Sequence, residues 1–515
     1  MRKLLKAGII IMLFISFLFV SKTLGDMRKN ALLQYSNENI QTIDVGMISD
    51  NKAMTFRVII PNNTPDTDTI YMYSSHKYKM QKVGDFIYEV NLTRSQIFPD
   101  GDRVQYRYSR NGQNFYTAEY LEPDTNDYFW TKKGRVTNFK AGEVQQDEIG
   151  RWRWFPPEGV PIVRSTAIEP SGTFLSRINN IEFGSGQIIE DLYFESFYEF
   201  LNSTAQHMSD VGYRWVEIDP PWQMFEENGL PKIANLIENA PNYPDDQTLI
   251  DEINAYKSHG LKVRMAPQLC CTPIDTRDRS VEWWDVWFNE TTTFLVHFAD
   301  IAQKAGVDAM HYAVGPDNYP SDYEERWSNV FKEIRRHFSG QVGEMVWNLG
   351  ADTGQIIPDA KYITWGNELD YFYIAIDAPI SLKWNPTDQE LKEGADKMLD
   401  GVKQLYDTYG KPIVVRTTYF NVKGTWKGSS FYQISDPPWY GSEEMNATGK
   451  YVLGTEDLAR TVNAYFKSIA ERPWIIGYGQ FGYTHWENPL TPDLAVRGKP
   501  AEDLWNKWHK IIYPN

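Results

Sequence analysis

Residues 307–318 read VDAMHYAVGPDN, a short apolar run that ends abruptly in a Gly-Pro-Asp turn. If this run is a buried parallel strand, side-chain alternation puts His311 and Asp317 on one face and Tyr312 on the other. Asp317 then stands at the carboxyl end of the strand. In a (β/α)8 barrel the reactive groups lie at that end, because the loops there vary while the strands hold the geometry. The stretch therefore predicts a barrel strand with a functional Asp317.

Beyond about residue 172, short apolar runs alternate with amphipathic helical stretches, as in a parallel sheet wrapped by helices. Glycines stand where helices should stop before the next strand, at Gly212, Gly260, Gly306 and Gly410. About eight runs can be counted, the number that a closed barrel needs. They are residues 178–184, 214–219, 262–268, 309–317, 342–348, 371–377, 412–418 and 475–483. A TIM barrel is therefore predicted over residues 172–515.

The part of the chain before residue 150 has a different pattern of apolar and turn residues. Short β-type runs such as MTFRVII, FIYEVNL and VQYRYSR are separated by turn residues, with no helical period between them. This spacing is typical of a β-sandwich. The fold class is therefore a multi-domain one, with an N-terminal all-β sandwich over residues 40–150 followed by the α/β barrel.

The amino-acid composition limits the classes of molecule that the protein can bind. The 515 residues carry 52 basic and 68 acidic side chains, a net charge of −16, and no long basic run, which excludes nucleic acid. Aromatic residues make up 15%. Flat rings suit stacking on sugar faces, although a Trp-rich core accounts for more than half of them. The composition is compatible with a polysaccharide or oligosaccharide partner and does not predict the oligomeric state.

Residues 1–26 begin with basic side chains, continue with an apolar run over residues 7–20 and end in small and polar residues. The run is short for a membrane span, so an export signal is the preferred interpretation and an uncleaved membrane anchor the alternative. Either one predicts a protein that is secreted or held at the extracellular surface.

Strand parity predicts which polar residues point into the barrel. Glu217 and Glu344 lie low on their strands and are interpreted as core groups, for which arginines are the natural partners. Four other carboxylates lie near the carboxyl ends of their strands, where the active sites of such barrels are found, and a functional role is therefore favoured for them. They are Glu182, Asp219, Asp317 and Asp377. The whole inward set is Glu182, Glu217, Asp219, Arg264, His311, Glu344, Asp377 and Arg416.

Hydrolysis of a glycosidic bond needs one carboxylic acid and one carboxylate. The sequence evidence for a metal site is weaker than that for a carboxylate pair, because no HExxH motif or dense cluster occurs among the 8 His. No cofactor is implied. A turn with Asp66 and Asp68 could bind Ca²⁺, but PDTDT lacks the ordered ligand spacing of a known Ca²⁺ loop, so a solvated turn is preferred. His485 and Glu487, in YTHWEN, could bind substrate or brace their loop. The substrate-binding candidates are Glu182, Trp222, Gln268, Trp347, Trp365, His485, Trp486 and Glu487.

Several segments carry a resemblance to a known family. The segments EWWDVWFNETTTFLVHFADIAQKAGVDAMHYAVGPD, ERWSNVFKEIRRHFSG, ELDYFYIAIDAPISL, YGKPIVV and RGKPAEDLWNKWH resemble glycoside hydrolase family 113, in its order and spacing. This is the β-mannanase family within the large clan of (β/α)8 retaining hydrolases. Residues 56–61, 69–73 and 104–110 resemble the starch-binding, family-20-like modules. The resemblance implies a barrel with a sugar cleft and an N-terminal carbohydrate-binding module.

The clan's catalytic positions differ in this chain. The clan places a glutamate acid/base at the end of the fourth strand, where this chain has Asp317. It places a glutamate nucleophile at the end of the seventh, where this chain has Thr417 or Thr418. One hypothesis is a relocated pair, in which Asp317 works with Asp377 or Asp219, or with Glu182 or Glu487, on a substrate such as an α-glucan. The other is a barrel that has lost catalysis and binds glycans.

Overall fold

The computed structural model describes most of the chain. The described residues are 42–43, 53–97, 103–112, 117–121, 134–172, 185–188, 197–235, 245–270, 275–314, 322–347, 363–428 and 452–513. The predicted signal or anchor at residues 1–26 lies outside them, as do Glu182 and Asp317. None of the helices within these ranges is long and apolar enough to cross a membrane.

The second part of the chain forms a closed barrel of eight parallel strands. The strands follow one another in chain order, and the last, β20, pairs with the first, β10. The predicted TIM-type barrel is confirmed, although the first predicted run, residues 178–184, lies outside the described residues. The barrel strands are β10 (Ser185–Ile188), β11 (Trp215–Ile218), β14 (Lys262–Met265), β16 (Ala309–Ala313), β17 (Gln341–Trp347), β18 (Tyr371–Ile376), β19 (Ile413–Thr417) and β20 (Ile475–Tyr483).

The run predicted at residues 262–268 divides into two strands. Its first part is the barrel strand β14, whereas β15 (Gln268–Cys270) leaves the barrel and pairs with β12 (Pro221–Glu227). With β13 (Leu230–Ala234), these strands form a three-stranded side sheet in the order β13-β12-β15. Because β12 and β15 follow the second and third barrel strands, the side sheet lies at the carboxyl end of the barrel.

Helices cover the outside of the barrel. Ser280 caps the longest helix through its side chain, which accepts a hydrogen bond from the Trp283 amide, and left-handed Gly306 ends that helix. Gly410 ends another helix in the same way, so the predicted helix stops are confirmed. The helices around the barrel are α2 (Phe197–Val211), α3 (Asp246–Ser258), α4 (Val281–Ala305), α5 (Tyr323–His337), α6 (Asp388–Tyr409), α7 (Thr455–Ala470) and α8 (Pro500–Ile512); a short α1 (Arg94–Ile97) precedes them in the N-terminal region.

Two separate apolar clusters distinguish the inside of the barrel from its outer layer. The large cluster joins the helices to alternate residues of the strands, such as Val263 and Ile374. The small cluster contains strand residues alone, among them Trp215, Met345 and Tyr373. Because successive side chains of a strand point to opposite faces, the small cluster is the barrel interior.

The N-terminal region is rich in β-structure. One sheet has the order β1-β4-β3-β7-β8 and the other β5-β6-β2-β9. Buried side chains from both sheets, including Phe56 and Tyr108, form one apolar cluster. The strands are β1 (Thr42–Ile43), β2 (Ala53–Ile59), β3 (Ile70–Tyr73), β4 (Lys77–Lys79), β5 (Gln81–Gly84), β6 (Ile87–Thr93), β7 (Arg103–Arg110), β8 (Arg135–Asn138) and β9 (Val144–Glu148).

Arg110, at the end of β7, joins the N-terminal region to the barrel. Its side chain is fully buried and donates a 2.6 Å hydrogen bond to Asp68 of its own region. The other guanidinium nitrogen donates to the side chain of Asn488, at 2.9 Å, and to the backbone oxygen of Glu487, at 3.1 Å, both in the loop after β20. The guanidinium also lies 4.5 Å from the centre of the Phe155 ring. A buried cation with this many partners fixes the junction.

Candidate functional site

Glu217 of β11 lies inside the barrel between two arginines. Its carboxylate oxygens are 3.8 Å from Arg264 and 3.6 Å from Arg416, and all three side chains are buried. The predicted arginine partners are therefore confirmed for Glu217. Burial and the two nearby guanidinium groups hold the pKa of His311 well below its ordinary value, so the imidazole is neutral. These four residues, called the core cluster below, carry one net positive charge.

Aromatic rings enclose the core cluster. Tyr373 stacks on His311 with ring centres 4.2 Å apart. The Arg264 guanidinium lies 4.8 Å from the Trp215 ring, and that of Arg416 lies 4.7 Å from the Phe481 ring. Arginine is well suited to such positions because its planar cation stacks on rings while it pairs with a carboxylate. The core cluster is therefore cationic and enclosed by aromatic rings.

Glu344 points away from the barrel interior, contrary to the sequence-based prediction. Trp365 donates a 2.6 Å hydrogen bond from its indole Nε1 to Oε2 of Glu344, and both side chains are buried. Trp365 belongs to the outer apolar cluster, whereas Met345, the next residue of β17, is inside. The prediction that Trp365 lines a sugar cleft is therefore wrong, because this ring is needed to pack a helix layer.

Asp219 follows β11 at the carboxyl end of the barrel. It is buried, and its Oδ2 accepts a 2.9 Å hydrogen bond from the side-chain amide of Gln268, at the start of the side sheet. The structure thus brings together two of the predicted site residues. Asp219 directly follows Ile218, the last residue of β11, so its carboxyl group lies at the carboxyl end of the barrel.

Asp377 follows β18, also at the carboxyl end, and is half-buried. The pKa values of the buried Tyr419 and Tyr465 are raised, first by burial and further by the negative charge of Asp377. The Tyr419 hydroxyl donates a 2.7 Å hydrogen bond to the backbone oxygen of Ala378. Asp377 is therefore held beside the aromatic packing of the sixth and seventh strands.

The end of the seventh strand carries hydroxyl groups. Thr417 Oγ1 donates a 2.8 Å hydrogen bond to Oε1 of Gln480 and lies 3.1 Å from the hydroxyl of Tyr478. Both contacts are buried and tie β19 to β20. Thr417 is thus used in strand pairing, and the next residue, Thr418, also lacks a carboxylate.

Trp222 also has a structural position. Its ring lies 5.6 Å from Phe294, 4.8 Å from His297 and 5.5 Å from Phe298, measured between ring centres, and all three belong to α4. Trp222 therefore attaches the side sheet to a helix on the outside of the barrel. The prediction that Trp222 lines the sugar cleft stays a prediction, since its ring is half-buried against α4.

The YTHWEN loop after β20 is braced. His485 is buried, and its Nδ1 lies 3.1 Å from the hydroxyl of Thr204. Burial, aided by the charge of Arg497, lowers the pKa of His485 to about 3. Trp486 is buried and packs edge-on against Phe200. Both were predicted to bind substrate, but these contacts account for their side chains.

Glu487 braces its loop, which is one of the two roles that the sequence allowed for it. Both Nε and Nη2 of Arg164 donate hydrogen bonds to its Oε2, at 2.9 and 2.7 Å. Its backbone oxygen accepts the hydrogen bond from Arg110. Glu487 therefore holds the connecting segment and the N-terminal region against the barrel.

Comparison with known proteins identifies the family. The model of Glycoside Hydrolase Family 113 matches residues 200–498, more than half of the chain. The chain belongs to glycoside hydrolase family 113. It is therefore a glycoside hydrolase, a protein of the class that acts on O-glycosyl bonds of polysaccharides or oligosaccharides. A search of curated proteins finds no match.

Solved structures include other members of family 113. A complex of a family 113 β-1,4-mannanase is 18% identical, covers 64% of this chain and 98% of its own, and has a TM-score of 0.49. A family 113 β-mannanase from Alicyclobacillus acidocaldarius is 15% identical, covers 64% and 97%, and also has a TM-score of 0.49. An endo-1,4-β-D-mannanase from Thermotoga petrophila is 12% identical, covers 64% and 99%, and has a TM-score of 0.39.

Three predicted site residues of this family 113 chain lie wholly or partly outside the described part of the structure. Asp317 and Glu182 lie outside the described residues, and Trp347 is described only as part of β17. No group of three or more His, Cys, Asp or Glu side chains suited to a metal occurs in the described ranges. Asp68, weighed as a Ca²⁺ ligand, accepts hydrogen bonds from Arg110 and Asn111 instead.

Sequence reasoning missed two residues of this family 113 chain. Arg110 is a fully buried cation, but an arginine that ends a strand gives no sequence signal for burial. Trp384 has the opposite property, because its side chain is 72% exposed. A signal for Trp384 existed in the segment SLKWNP, where polar and turn-forming residues surround a single Trp after the sixth strand.

Proposed function

We propose that this chain is an exported hydrolase of β-mannan that uses a carboxylate pair at the barrel mouth, with Asp317 as one member. Family 113 membership supports the reaction class. The same membership favours a β-mannan over the α-glucan suggested by the N-terminal resemblance, since the family is one of β-mannanases. The basic and apolar pattern of residues 1–26 supports export.

The single observation that carries the catalytic proposal is the position of Asp219. This residue is buried at the carboxyl end of the barrel, where Gln268 donates a 2.9 Å hydrogen bond to its carboxyl group. Asp219 is thus suited to be the base or nucleophile, and Asp317 the acid that protonates the leaving oxygen.

Asp377 is the second candidate partner for Asp317. It stands at the end of the sixth strand, beside the seventh, where the clan's nucleophile would be. Its half-buried carboxyl group lies near the hydroxyl groups of Tyr419 and Tyr465, which suits a structural role as well. Asp219 is preferred because it is buried and the hydrogen bond from Gln268 holds its carboxyl group at the barrel's carboxyl end.

The N-terminal region is proposed to be a β-sandwich that binds polysaccharide. The support is the resemblance to starch-binding-like modules, together with two sheets that share one apolar cluster. Binding of the same polymer by both regions would keep the barrel near its substrate.

A second candidate function is glycan binding without catalysis. The observation that favours it is Thr417, whose hydroxyl group is engaged with Gln480 and Tyr478 where the clan has its nucleophile. A barrel with this replacement could retain its cleft and hand oligosaccharides to another protein.

The test is reducing-sugar release from β-mannans, β-glucans and α-glucans by the full chain and by Asp317→Ala, Asp219→Asn and Asp377→Asn. Asp251→Asn, on an exposed helix position, is the matched control. Cleavage of a β-mannan that is lost in Asp317→Ala and in one other variant supports the proposal and names the pair. Binding to a polymer without release by any protein supports the second candidate.

A further inference from the structure

The second and third barrel strands are each followed by proline. Residues 219–221 read DPP and follow β11, and residues 266–268 read APQ and follow β14. Proline fixes its own φ and restricts the residue before it to extended backbone. Asp219 and Ala266 each stand before such a proline, and both are buried. The sequence therefore limits the backbone conformations of Asp219 before any tertiary contact forms.

Backbone hydrogen bonds join these two strand exits. The amide of Ala266 donates a 2.8 Å bond to the backbone oxygen of Ile218. The amide of Gln268 donates a 3.1 Å bond to the backbone oxygen of Pro220. Because Ile218 and Pro220 are the two chain neighbours of Asp219, these bonds hold its backbone on both sides. The pairing then continues into β12 and β15 of the side sheet.

The side chain of Gln268 adds a third contact. Its Nε2 donates a 2.9 Å hydrogen bond to Oδ2 of Asp219. Rotation of an aspartate about χ2 is broad, so a hydrogen bond to one carboxyl oxygen narrows the orientations of the carboxyl plane. Gln268 thus holds the Asp219 segment through its backbone and the carboxyl group through its side chain.

The side sheet that carries Gln268 is attached to α4. Glu290 of that helix accepts a 2.9 Å hydrogen bond from the amide of Ile233 in β13, and its other carboxyl oxygen lies 3.2 Å from the ammonium group of Lys232. Trp222 of β12 packs against the same helix. Gln268 therefore lies on a paired strand with a packed support, which can hold a hydrogen-bond donor in one place.

We propose that Gln268 is a positioning residue for Asp219, and that it acts through the carboxyl group and not through contact with the sugar. This inference rests on the proposed function, because it needs Asp219 to be the base or nucleophile. A displacement of a reacting group by about 1 Å can slow a reaction roughly 100-fold. The amide of Gln268 prevents such a displacement, so its loss should slow the chemical step and leave substrate binding almost unchanged.

The test is a double-mutant cycle between the two residues. Gln268→Met removes the donor and keeps an unbranched side chain of similar length. The kcat and KM on a β-mannan are measured for the wild type, Gln268→Met, Asp219→Asn and the double variant. Gln247→Met is the matched control, because Gln247 donates a 2.8 Å hydrogen bond to Asp251 on the exposed surface of α3.

The inference predicts a specific pattern in these rates. Gln268→Met should lower kcat roughly tenfold to 100-fold with KM changed by less than about twofold. The double variant should be no slower than Asp219→Asn, because a residue that acts only through Asp219 has nothing left to position. Gln247→Met should keep wild-type rates.

Gln268→Glu distinguishes positioning from a packing defect. Glutamate has the same length as glutamine but donates a hydrogen bond only when it is protonated. The rate of Gln268→Glu relative to the wild type should therefore rise as the pH is lowered below neutral, whereas the relative rate of Gln268→Met should not. A variant that fails to fold could not regain activity in this way.

The outcomes separate this inference from the proposed function. Wild-type kinetics of Gln268→Met, or a raised KM with unchanged kcat, would overturn the positioning role and leave the proposed function intact as long as Asp219→Asn is slow. A further loss in the double variant would also overturn it, because Gln268 would then act independently of Asp219. Wild-type rates of Asp219→Asn, or no hydrolysis by the wild type, would overturn the proposed reaction and the positioning role together.

Discussion

The indole nitrogen of Trp365 donates a 2.6 Å hydrogen bond to Glu344 in the layer between the barrel and its helices. Burial raises the pKa of Glu344 to about 8, and the hydrogen bond from Trp365 opposes that shift. The folded protein therefore keeps a proton that the unfolded chain releases near pH 4.5. This difference makes stability depend on pH in a predictable direction.

The Glu344→Gln variant should remove that dependence. Because the folded-state pKa is raised, the contribution of Glu344 is fully present below pH 4.5 and is lost as the pH rises toward 8. The wild type should lose up to about 1.4 kcal/mol per pH unit relative to the variant across this window. Urea unfolding of both proteins at pH 5, 6, 7 and 8 measures the difference. Parallel stability profiles would contradict the position assigned to Glu344.

Asp219→Asn should remove the carboxylate that the proposed reaction needs. The Asn side chain has nearly the same size and shape, and its oxygen can still accept the hydrogen bond from Gln268. We expect kcat on a mannan substrate to fall by about 10²- to 10⁴-fold with little change in KM. Asp251→Asn should retain wild-type rates. Unchanged kcat in Asp219→Asn, with loss in Asp377→Asn, would transfer the partner role to the sixth strand.

Arg110→Ala should destabilise the whole chain. The substitution leaves the buried Asp68 carboxylate without its guanidinium partner and removes both hydrogen bonds to the loop after β20. A loss of about 3–5 kcal/mol is expected in denaturant unfolding. Arg103→Ala, at an exposed position of the same strand, is the control and should change stability by less than about 0.5 kcal/mol. Equal stability of the two variants would show that the junction is not held by Arg110.

Gly394→Ala should strain the contact between α6 and the segment that follows β18. A Cβ at Gly394, in α6, would stand 1.9 Å from the backbone oxygen of Ile380, so the helix or the loop has to move. Although Ala is the better helix former by about 1 kcal/mol, overpacking should win and cost about 2 kcal/mol net. At Gly150 nothing lies within 4 Å of the added Cβ, so Gly150→Ala is the control. Thermal unfolding of both proteins measures the effect.

The barrel was predictable because its signals are local. Apolar runs and the helix stops at Gly306 and Gly410 depend on the chain's own periodicity and backbone conformation. The structure confirms seven of the eight predicted runs as barrel strands, together with both helix stops. The arginine partners of Glu217 followed from the cost of burying an unpaired carboxylate.

The errors have one physical origin, since strands of a barrel are buried on both faces. Alternation along β17 separates Glu344 from Met345, but it cannot show which of the two faces the interior. The same limit applies to the buried Trp365 and Trp486, because a ring that packs a helix and a ring that stacks on a sugar have the same sequence signal.

Arg110 also has a consequence for how the protein would meet a polymer. Because buried hydrogen bonds fix the N-terminal region to the barrel, their separation does not vary as it would across a flexible linker. Under the proposed function, a glycan chain that contacts both regions must be long enough to span one set distance in one set direction. The minimum length of the polymer, and not the reach of a tether, then decides whether the two regions act on the same molecule.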